Sequence, residues 1–381
     1  MRILQVIPFF SPQMGGSAEV AYQVSKHLAQ RGHAITVITT NYPVRSPKYS
    51  AQGVRVIEIP NWIAKFGFYF SPGLIAWAKE NIGHFDIIHM HTARTFQNAV
   101  IWHFAIKNQV PFLLSAHGTL PVIEQRKFIK RIFDAIIGDK LISSASCLLA
   151  VSDVESEQYR QAGIPREKIK LIFNGLDFHE FENLPPRGIF RKQYPGIKDD
   201  TKLILFLGRI DKRKRIDHLI NAYTLVISDV VDSRLVIAGP DEGELTKLKE
   251  LVAERGISNA VIFTGPLYGR DKLAAYLDAD VLVSPAIFEI FGLVPFEAMM
   301  CGTPVIIADD SGSGRLIKDT QSGFTFPQGD VDSLAKMVGY VLMNPGAAIQ
   351  KVEAGQRFIR ENLDWDKNVN KLIDLYQEYL H

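Results

Sequence analysis

Apolar runs alternate with amphipathic segments along the first half of the chain. The apolar run at residues 1–10 is followed by a glycine-rich loop, a helical pattern at 18–33 and a second apolar run at 34–40. Ser17 and Gly32, at the two ends of this helical pattern, are residue types that cap helices. Further apolar runs come at 86–91, 111–118 and 146–153, and a helical pattern occupies 98–109. Continuous Val, Ile and Leu strands separated by helices predict a parallel sheet covered on both faces.

The same rhythm returns after residues 178–197, a segment rich in proline and glycine that predicts a linker. Predicted strands of this second half lie at 202–208, 234–239, 260–265, 280–286 and 303–309, with helical patterns between them. We therefore expect an α/β protein with two tandem Rossmann-like, doubly wound domains, 1–183 and 184–363. Ligands of such sheets bind beyond the carboxyl ends of the strands. Two facing domains would then bind a ligand in the cleft between those ends.

Composition narrows the class of protein. A chain of 381 residues exceeds what one hydrophobic core usually serves, which supports two domains. The net charge of +2 gives no global field that would favour nucleic acid. Cys147 and Cys301 are far apart and show neither zinc-site nor disulfide spacing, so a reducing cytosol fits best. The amino terminus predicts a strand rather than a signal peptide, and no apolar run approaches the ~20 residues of a membrane helix.

Two cations follow the strand at 202–208, in the stretch GRIDKRKRID. Arg209 comes at the strand end, and Lys214 stands five residues later, just before a helix. A guanidinium fork and an ammonium point charge together suit a diphosphate. The alternative is a solvated basic loop.

Two glutamates interrupt the apolar stretch FEIFGLVPFEAMMCGTPVI. Glu289 falls in the loop after the strand at 280–286, and Glu297 lies one turn into the following helix. The amides of Gly292 and Leu293, at the start of that helix, suit phosphate oxygens. Carboxylates match the vicinal hydroxyls of a sugar or ribose. Because no Lys or Arg lies between Ala286 and Gly314, we expect ligand hydroxyls rather than local ion pairs as their partners.

The first half offers three weaker candidates. Gly15 and Gly16 open a helix after the first strand, where bare amides suit an anion, but they lack the GxGxxG spacing of a nicotinamide site. His117 ends a strand and precedes a glycine, which places an imidazole at the ligand edge. His89 and His91 share one face of a strand and are expected as cleft lining or core.

No metal is expected, because cations and helix amides can neutralise a diphosphate without one. The two Asp-x-Asp pairs, at 278–280 and 364–366, are interpreted as structural.

Residues 123–142 form a basic amphipathic pattern, in which Arg126, Lys127, Lys130 and Arg131 alternate with apolar side chains. Such a helix either lies on an anionic membrane surface or buries its apolar face in the core. The aromatic stretch 62–77 is a candidate for binding an acceptor or lipid.

Taken in order, these motifs resemble those of the family 4 glycosyltransferases, which are retaining nucleotide-sugar transferases of the GT-B fold. The likeness runs over essentially the whole chain. Its most specific element is the pair of glutamates eight positions apart, Glu289 and Glu297. The other matching stretches are GGSAEVAYQVSKHLAQRGHAITVIT, HG at 117–118, AVSD at 150–153, FNGLD at 173–177 and GRIDKRKRID. Departures from the pattern are Arg215, where glycine is common, Ile290, where a small residue is frequent, and Arg315, where glutamate often follows.

The resemblance implies a role for each candidate. Arg209 and Lys214 would hold the donor diphosphate, and Glu297 would bind the ribose. Glu289 would contact the donor sugar, and the amides of Gly292 and Leu293 the distal phosphate. The remaining implied donor or catalytic residues are Gly15, Gly16, Phe291, Tyr268 near the base, and His117 near the reacting sugar. The last helix, within 364–381, would cross back onto the first domain.

The implied function is the transfer of a sugar from a UDP- or GDP-sugar to a sugar or lipid-linked acceptor, in polysaccharide, O-antigen or glycolipid assembly. No carboxylate is an obvious covalent nucleophile for double displacement. The resemblance therefore favours front-face departure and attack, assisted by the leaving phosphate. A cytoplasmic enzyme is expected, with peripheral contact at the inner membrane face as an addition. Three rivals remain: a nucleotide-sugar epimerase, a pyridoxal-dependent phosphorylase and a non-catalytic sugar-nucleotide-binding protein.

Overall fold

The computed structural model describes residues 1–11, 15–41, 51–65, 68–121, 127–194, 196–230 and 232–380. The chain divides into two compact units. The N-terminal unit comprises Met1–Gly175 with Trp365–His381, and the C-terminal unit comprises Leu176–Asp364. The first unit therefore contains both ends of the chain, as expected for a last helix that crosses back.

Fifteen strands are present in the described residues. They are β1 (Arg2–Val6), β2 (Ala34–Thr40), β3 (Val54–Ile59), β4 (Ile63–Lys65), β5 (Phe68–Phe70), β6 (Ile87–His91), β7 (Phe112–Ser115), β8 (Cys147–Ala150), β9 (Ile169–Leu171), β10 (Lys202–Leu207), β11 (Ser233–Ala238), β12 (Val261–Gly265), β13 (Val281–Ser284), β14 (Val305–Ala308) and β15 (Phe324–Phe326).

The α-helices of the described residues are α1 (Gly16–Gln30), α2 (Gly73–Asn81), α3 (Phe96–Lys107), α4 (Lys127–Phe133), α5 (Asp139–Ser144), α6 (Asp153–Gln161), α7 (Ile189–Lys192), α8 (Ile216–Val226), α9 (Leu245–Glu254), α10 (Gly269–Asp278), α11 (Val294–Met300), α12 (Gly312–Asp319), α13 (Val331–Met343), α14 (Pro345–Asn362) and α15 (Trp365–Glu378). A π-helical segment, Asp134–Gly138, joins α4 to α5.

Each unit contains one parallel sheet. The order is β3-β2-β1-β6-β7-β8-β9 in the N-terminal unit and β12-β11-β10-β13-β14-β15 in the C-terminal unit. The central strands are buried along their length, as in β6. Strands buried on both faces appear in sequence as continuous apolar runs rather than as alternating apolar and polar residues, and such runs predicted them. Chain order reverses beside β1 and beside β10, and the carboxyl ends of the central strands carry the candidate chemistry. The predicted pair of doubly wound parallel sheets is confirmed.

The C-terminal helix α15 belongs to the N-terminal unit, as the resemblance implied. Trp365 and Leu372 are buried in the same apolar cluster as α1. At the helix start, the Arg31 guanidinium lies 2.8 Å from the Asp366 carboxylate. The N-cap prediction for α1 was wrong by two residues, because Gly15, with a φ of 118°, occupies the cap and Ser17 lies inside the helix.

The segment 178–197, expected as a linker, is packed structure of the C-terminal unit. Phe190 in α7 is 1% exposed. The Asp278 carboxylate accepts hydrogen bonds from the amides of Gly188 and Arg191, at 2.5 and 3.0 Å. Proline and glycine here shape a tight turn that a buried aspartate holds, so the loss of periodicity did not mark a linker.

None of the helices in the described part of the chain combines the length and the apolar character needed to cross a lipid bilayer.

Candidate active site

Arg209 leaves the end of β10 at a point where two backbones nearly touch. A Cβ on Gly239, which follows β11, would overlap the carbonyl oxygen of Gly208, so only glycine fits there. This close approach fixes the direction in which Arg209 leaves the sheet. Its guanidinium donates to Glu242 Oε2 at 2.6 Å, and a second nitrogen lies 3.2 Å from Asp211. Arg209 is 40% exposed and is thus held ready at the surface of the sheet edge.

Lys214 and Glu289 form an ion pair, although 75 residues separate them in the chain. The Ile287 amide donates to the Arg213 carbonyl at 2.8 Å, which joins the loop after β13 to the turn that carries Lys214. The Gly312 amide donates to the Glu289 carbonyl at 2.9 Å from the other side. The expectation that Glu289 would have no protein cation was wrong, because the sheet brings two strand ends together that are distant in sequence.

Glu297 is also paired. Its two carboxylate oxygens meet Lys272 Nζ at 3.1 Å and the Tyr276 hydroxyl at 2.8 Å. Burial alone would lower the pKa of Lys272, but the carboxylates of Glu297 and Glu180 outweigh it and the pKa is raised. Lys272 therefore stays charged. Although no Lys or Arg lies close to Glu297 in sequence, the fold brings Lys272 into contact with it.

The amides of Gly292 and Leu293 lie just before α11, at the predicted place. Neither donates a hydrogen bond to any residue that the structure describes. A Cβ on Gly292 would lie 3.3 Å from the Glu289 side chain, so this glycine lets the carboxylate fold back over the loop. Phe291 is buried and stacks on Phe296, with ring centroids 5.4 Å apart, so it packs against α11. Tyr268 is 61% exposed, directly before α10.

In the N-terminal unit, His117 follows β7 with a φ of 50°, a left-handed conformation that is uncommon for histidine. Its Nε2 lies 2.9 Å from His91 Nδ1, and the two rings stack at 5.2 Å. His89 stacks on His91 in turn, at 4.3 Å. Burial lowers the pKa of His117 to about 4 and that of His89 to about 3, so both imidazoles are neutral at neutral pH.

A buried carboxylate holds the loop that carries His117. Glu155, in α6 after the AVSD stretch, accepts from the Gly118 amide at 2.7 Å and from the Val151 amide at 3.0 Å. Burial raises the pKa of Glu155 despite these bonds. The motifs HG and AVSD are separate in sequence, but the Glu155 carboxylate bonds to a backbone amide of each and so holds them together.

Gly15 and Gly16 lie at the amino end of α1. In the described residues, the amides of Gly16 and Ser17 donate no hydrogen bond, as expected at a helix start. No residue of α1 supplies a side-chain cap there. Within the described part of the chain, Gly16 and Ser17 therefore offer backbone donors without a protein partner at the start of the helix that follows β1.

The Asp-x-Asp pairs serve the fold. Asp280 pairs with Lys202 at 3.1 Å and Arg191 at 3.3 Å, and Asp366 pairs with Arg31. Across the residues that the structure describes, no group of three or more His, Cys, Asp or Glu side chains is arranged to hold a metal ion.

The predicted basic helix is α4, the π-helical segment and α5; its residues 123–126 lie outside the described residues. The interpretation that its apolar side faces the core fails for four residues. They are Phe128 at 76% exposure, Ile129 at 56%, Ile132 at 43% and Ile136 at 62%. The aromatic stretch 62–77 is mixed, because Trp62 is 75% exposed whereas Phe70 packs on Phe96 at 5.0 Å.

Sequence reasoning did not find Lys272, Tyr276, Glu242 or Glu155. Lys272 and Tyr276 stand four residues apart on α10, which places them on one helix face. That spacing was the available signal, but it does not say which carboxylate the face meets. Glu242 and Glu155 gave no signal in sequence.

Two family models match the chain in succession. The model of Glycosyltransferase Family 4 matches residues 14–180, and that of Glycosyl transferases group 1 matches residues 189–365. The chain belongs to glycosyltransferase family 4. A family 4 glycosyltransferase is what the order of the motifs indicated, and the chain is accordingly an enzyme of this class.

The relatives of this family 4 glycosyltransferase described next match between 81% and 99% of its length. An uncharacterized glycosyltransferase of Methanocaldococcus jannaschii is 29% identical, with 99% of this chain and 98% of the relative covered. A phosphatidyl-myo-inositol mannosyltransferase of Mycobacterium leprae is 26% identical, with 99% and 96% covered. A D-inositol 3-phosphate glycosyltransferase of Streptomyces bingchenggensis is 29% identical, with 81% and 70% covered.

Solved structures of similar fold include glycosyltransferases. HepE of Anabaena, crystallised with UDP, has a TM-score of 0.81 at 19% identity, with 99% of this chain and 100% of that chain covered. WaaG, described as a glycosyltransferase involved in lipopolysaccharide biosynthesis, has a TM-score of 0.73 at 17% identity, with 98% and 99% covered. At these identities the likeness shows the fold, which is GT-B.

Proposed function

We propose that this family 4 glycosyltransferase transfers a sugar from a UDP- or GDP-sugar to an acceptor hydroxyl with retention of the anomeric configuration. The observation that carries the proposal is the Lys214–Glu289 ion pair at the carboxyl edge of the C-terminal sheet. In this proposal Lys214 would bind the diphosphate and Glu289 would bind the sugar hydroxyls, and their contact supports assigning them to adjoining groups of one nucleotide sugar.

Binding of the donor would exchange partners at this edge. The diphosphate offers Arg209 and Lys214 more negative charge than Glu242 and Glu289 do, so the cations would turn to phosphate. Glu289 would then be released to accept from the sugar hydroxyls. The amides of Gly292 and Leu293, which donate to no residue that the structure describes, would meet the distal phosphate.

Glu297 would bind the ribose while it keeps its protein partners. Each carboxylate oxygen accepts more than one hydrogen bond, so contacts with Lys272 and Tyr276 leave room for hydroxyls. Lys272 and Tyr276 would hold the carboxylate at a fixed angle. Tyr268, exposed before α10, would contact the base.

Retention would proceed by departure and attack on the same face of the sugar. Double displacement needs a carboxylate poised for covalent attack, whereas Glu289 is ion-paired and better suited to hydroxyls. The leaving phosphate, stabilised by Arg209 and Lys214, would take the acceptor proton. Because these cations supply the positive charge, we expect activity to persist in a chelator such as EDTA.

The acceptor is proposed to be a sugar or lipid-linked hydroxyl in polysaccharide, O-antigen or glycolipid assembly. Relatives named for transfer to inositol phosphate or phosphatidylinositol support a hydroxylated, anionic or membrane-bound acceptor. The protein would act in the cytoplasm.

Peripheral contact with the inner membrane face is part of this proposal. Four large apolar side chains of 128–136 are exposed, and the exposed charged side chains within residues 128–140 are Arg131, Lys140 and one acid, Asp139. This combination suits an anionic bilayer surface. We expect wild-type protein to sediment with anionic vesicles, and an Ile132→Ser and Ile136→Ser double variant to stay in solution while still binding donor. Equal sedimentation of the two proteins would contradict the contact.

The donor is tested with a panel of nucleotide sugars in a thermal-shift assay. A ligand that binds the folded state raises the Tm, by an amount that grows with concentration over Kd. The matching donor is then incubated with candidate acceptors, and the anomeric configuration of the product is read by NMR. Inverted product would refute retention. Turnover of donor alone into an isomer would favour the epimerase, and binding without any turnover would favour the binding protein.

A further inference from the structure

Six polar side chains, His117 and five beneath it, form one hydrogen-bonded chain, and all belong to the N-terminal unit. One branch runs from His117 to His91, whose Nε2 lies 2.8 Å from Gln5 Oε1 on β1. Gln5, His89 and His91 are buried completely or nearly so. The far end of the branch is therefore closed to water.

The second branch continues from the other atom of the same amide. Gln5 Nε2 donates to the Tyr376 hydroxyl at 3.4 Å, and that hydroxyl lies 2.7 Å from His89 Nδ1. His89 Nε2 lies 2.8 Å from Ser115 Oγ. Tyr376 lies on α15 and is 371 residues from Gln5 in sequence, so the returning helix completes the chain.

The amide of Gln5 sets the direction of every proton in both branches, because its oxygen only accepts and its nitrogen only donates. His91 must donate from Nε2 to the amide oxygen, which leaves its Nδ1 as an acceptor. His117 must then donate from Nε2 to His91. On the second branch the Tyr376 hydroxyl accepts from Gln5 and donates to His89.

We propose that Gln5, His91 and Tyr376 are positioning residues that hold His117 in a single tautomer, protonated on Nε2, with the lone pair of Nδ1 directed to ligand. In the described residues, Nδ1 of His117 has no hydrogen-bond partner. His117 itself is only half-buried, so this nitrogen can be reached. Neutrality of the three histidines, which burial enforces, keeps a second proton off the ring.

Within the proposed function, on which the role of His117 toward substrate rests, the tautomer makes His117 a hydrogen-bond acceptor. An imidazole with a bare Nδ1 accepts a hydrogen bond from a sugar or acceptor hydroxyl and donates none from that nitrogen. The opposite tautomer would place an N–H against the same hydroxyl and could pair only with its oxygen lone pair. Hydroxyl orientation at the reacting sugar is thus set from β1 and α15.

Histidine tautomers are measured directly by NMR of protein labelled with ¹⁵N in the imidazole rings, without donor or acceptor. We expect His117 to be protonated on Nε2 alone at neutral pH. Tyr376→Phe removes one hydroxyl, so the Gln5 amide loses its bias between two orientations and His117 becomes a mixture of tautomers. Tyr379→Phe makes the same change three residues away, outside the chain of contacts, and should leave His117 unchanged.

The kinetic readout separates positioning from folding. In Tyr376→Phe we expect kcat to fall by about twofold, because about half of the molecules would hold His117 in the competent tautomer. The donor KM should be unchanged. A wild-type His117 protonated on Nδ1, or a Tyr376→Phe protein with the wild-type tautomer, would overturn the proposal. Either NMR result is independent of whether a nucleotide sugar is the substrate. Failure here therefore leaves the proposed function standing, and failure of every donor leaves the tautomer measurement intact.

Discussion

The two units use the same kind of sheet edge for opposite electrostatics. At the carboxyl edge of the N-terminal sheet, His89, His91 and His117 are stacked and neutral. At the corresponding edge of the C-terminal sheet, Lys214 and Glu289 are charged and in contact. Parallel topology delivers side chains to this edge in both cases, and the side chains alone decide the ligand.

Under the proposed function, the difference follows from what each edge would bind. Binding a diphosphate requires full positive charges. Without ligand, unpaired cations at this edge would lower stability, so carboxylates balance them until the ligand binds. A hydroxyl needs an oriented lone pair, which a neutral imidazole provides without any counter-charge. Under the proposed function, the charged edge would bind the donor and the neutral edge would bind the hydroxyls that react.

The largest expected effect breaks the charged edge. Glu289→Ala and Lys214→Ala should each lower the transfer rate by at least about 10²-fold, the scale seen when one transition-state contact is removed. The fold should persist, because both side chains are partly exposed. Steady-state rates and circular dichroism check this, with Lys212→Ala on the same turn as the matched control. Wild-type-like turnover in either variant would sink the assignment of the edge.

Acid should break the neutral edge. The folded-state pKa of His117 is about 4 and that of His89 about 3, below the ordinary value of 6.5. Unfolding therefore takes up protons below pH 6.5, and stability falls as pH drops from there toward the folded-state pKa. At pH 5 the loss is about 2 kcal/mol per histidine. The raised pKa of Glu155 acts in the opposite direction and offsets part of it.

This pH effect can be measured in one unit at a time. All four tryptophans lie in the N-terminal unit, so their fluorescence reports its unfolding alone. We expect the fluorescence-detected Tm to fall between pH 7 and pH 5, and His89→Gln to show a shallower fall than wild type. An equal slope in the two proteins would contradict the burial of a neutral histidine.

The next effect tests whether Glu297 depends on its cation. Lys272→Met leaves the largely buried Glu297 carboxylate, whose side chain is 16% exposed, without its ion pair, which should destabilise the C-terminal unit by on the order of 3 kcal/mol. A second change, Glu297→Gln, removes the charge and should restore part of the loss. Circular dichroism should show the lower transition while tryptophan fluorescence stays as in wild type. A shift in the fluorescence transition alone would point to the wrong unit.

The smallest effect concerns the turn that carries Lys214. Arg215 has a φ of 49°, a left-handed conformation in which glycine is the unstrained residue. Arg215→Gly should raise the free energy of unfolding by about 0.5–1 kcal/mol through relief of backbone strain. The loss of the Arg215 contacts with Asp217 and His218 would reduce this gain. Thermal unfolding measures the change, and donor binding should be unaffected. A lower Tm would show that those contacts outweigh the backbone strain.

Several features could be predicted because they are local in the chain. Apolar runs such as 86–91 and 202–208 predicted buried parallel strands, since burial on both faces requires continuous apolar sequence. Arg209, Lys214, Glu289 and the amides at 292–293 were recognisable because each lies between a predicted strand and the helix that follows it. The segment 178–197 misled, because proline and glycine mark tight turns as well as linkers.

The sequence by itself determined the two parallel sheets, the strand ends that carry the candidate chemistry, and the family. Only the tertiary structure decided the partners: Lys214 for Glu289, Lys272 for Glu297, Tyr376 for His89. The physical reason is that hydrophobic periodicity is a pattern of residues adjacent in sequence. An ion pair or hydrogen bond requires only that two groups lie close in space. The sheets and the returning helix α15 create that proximity between residues up to 371 positions apart.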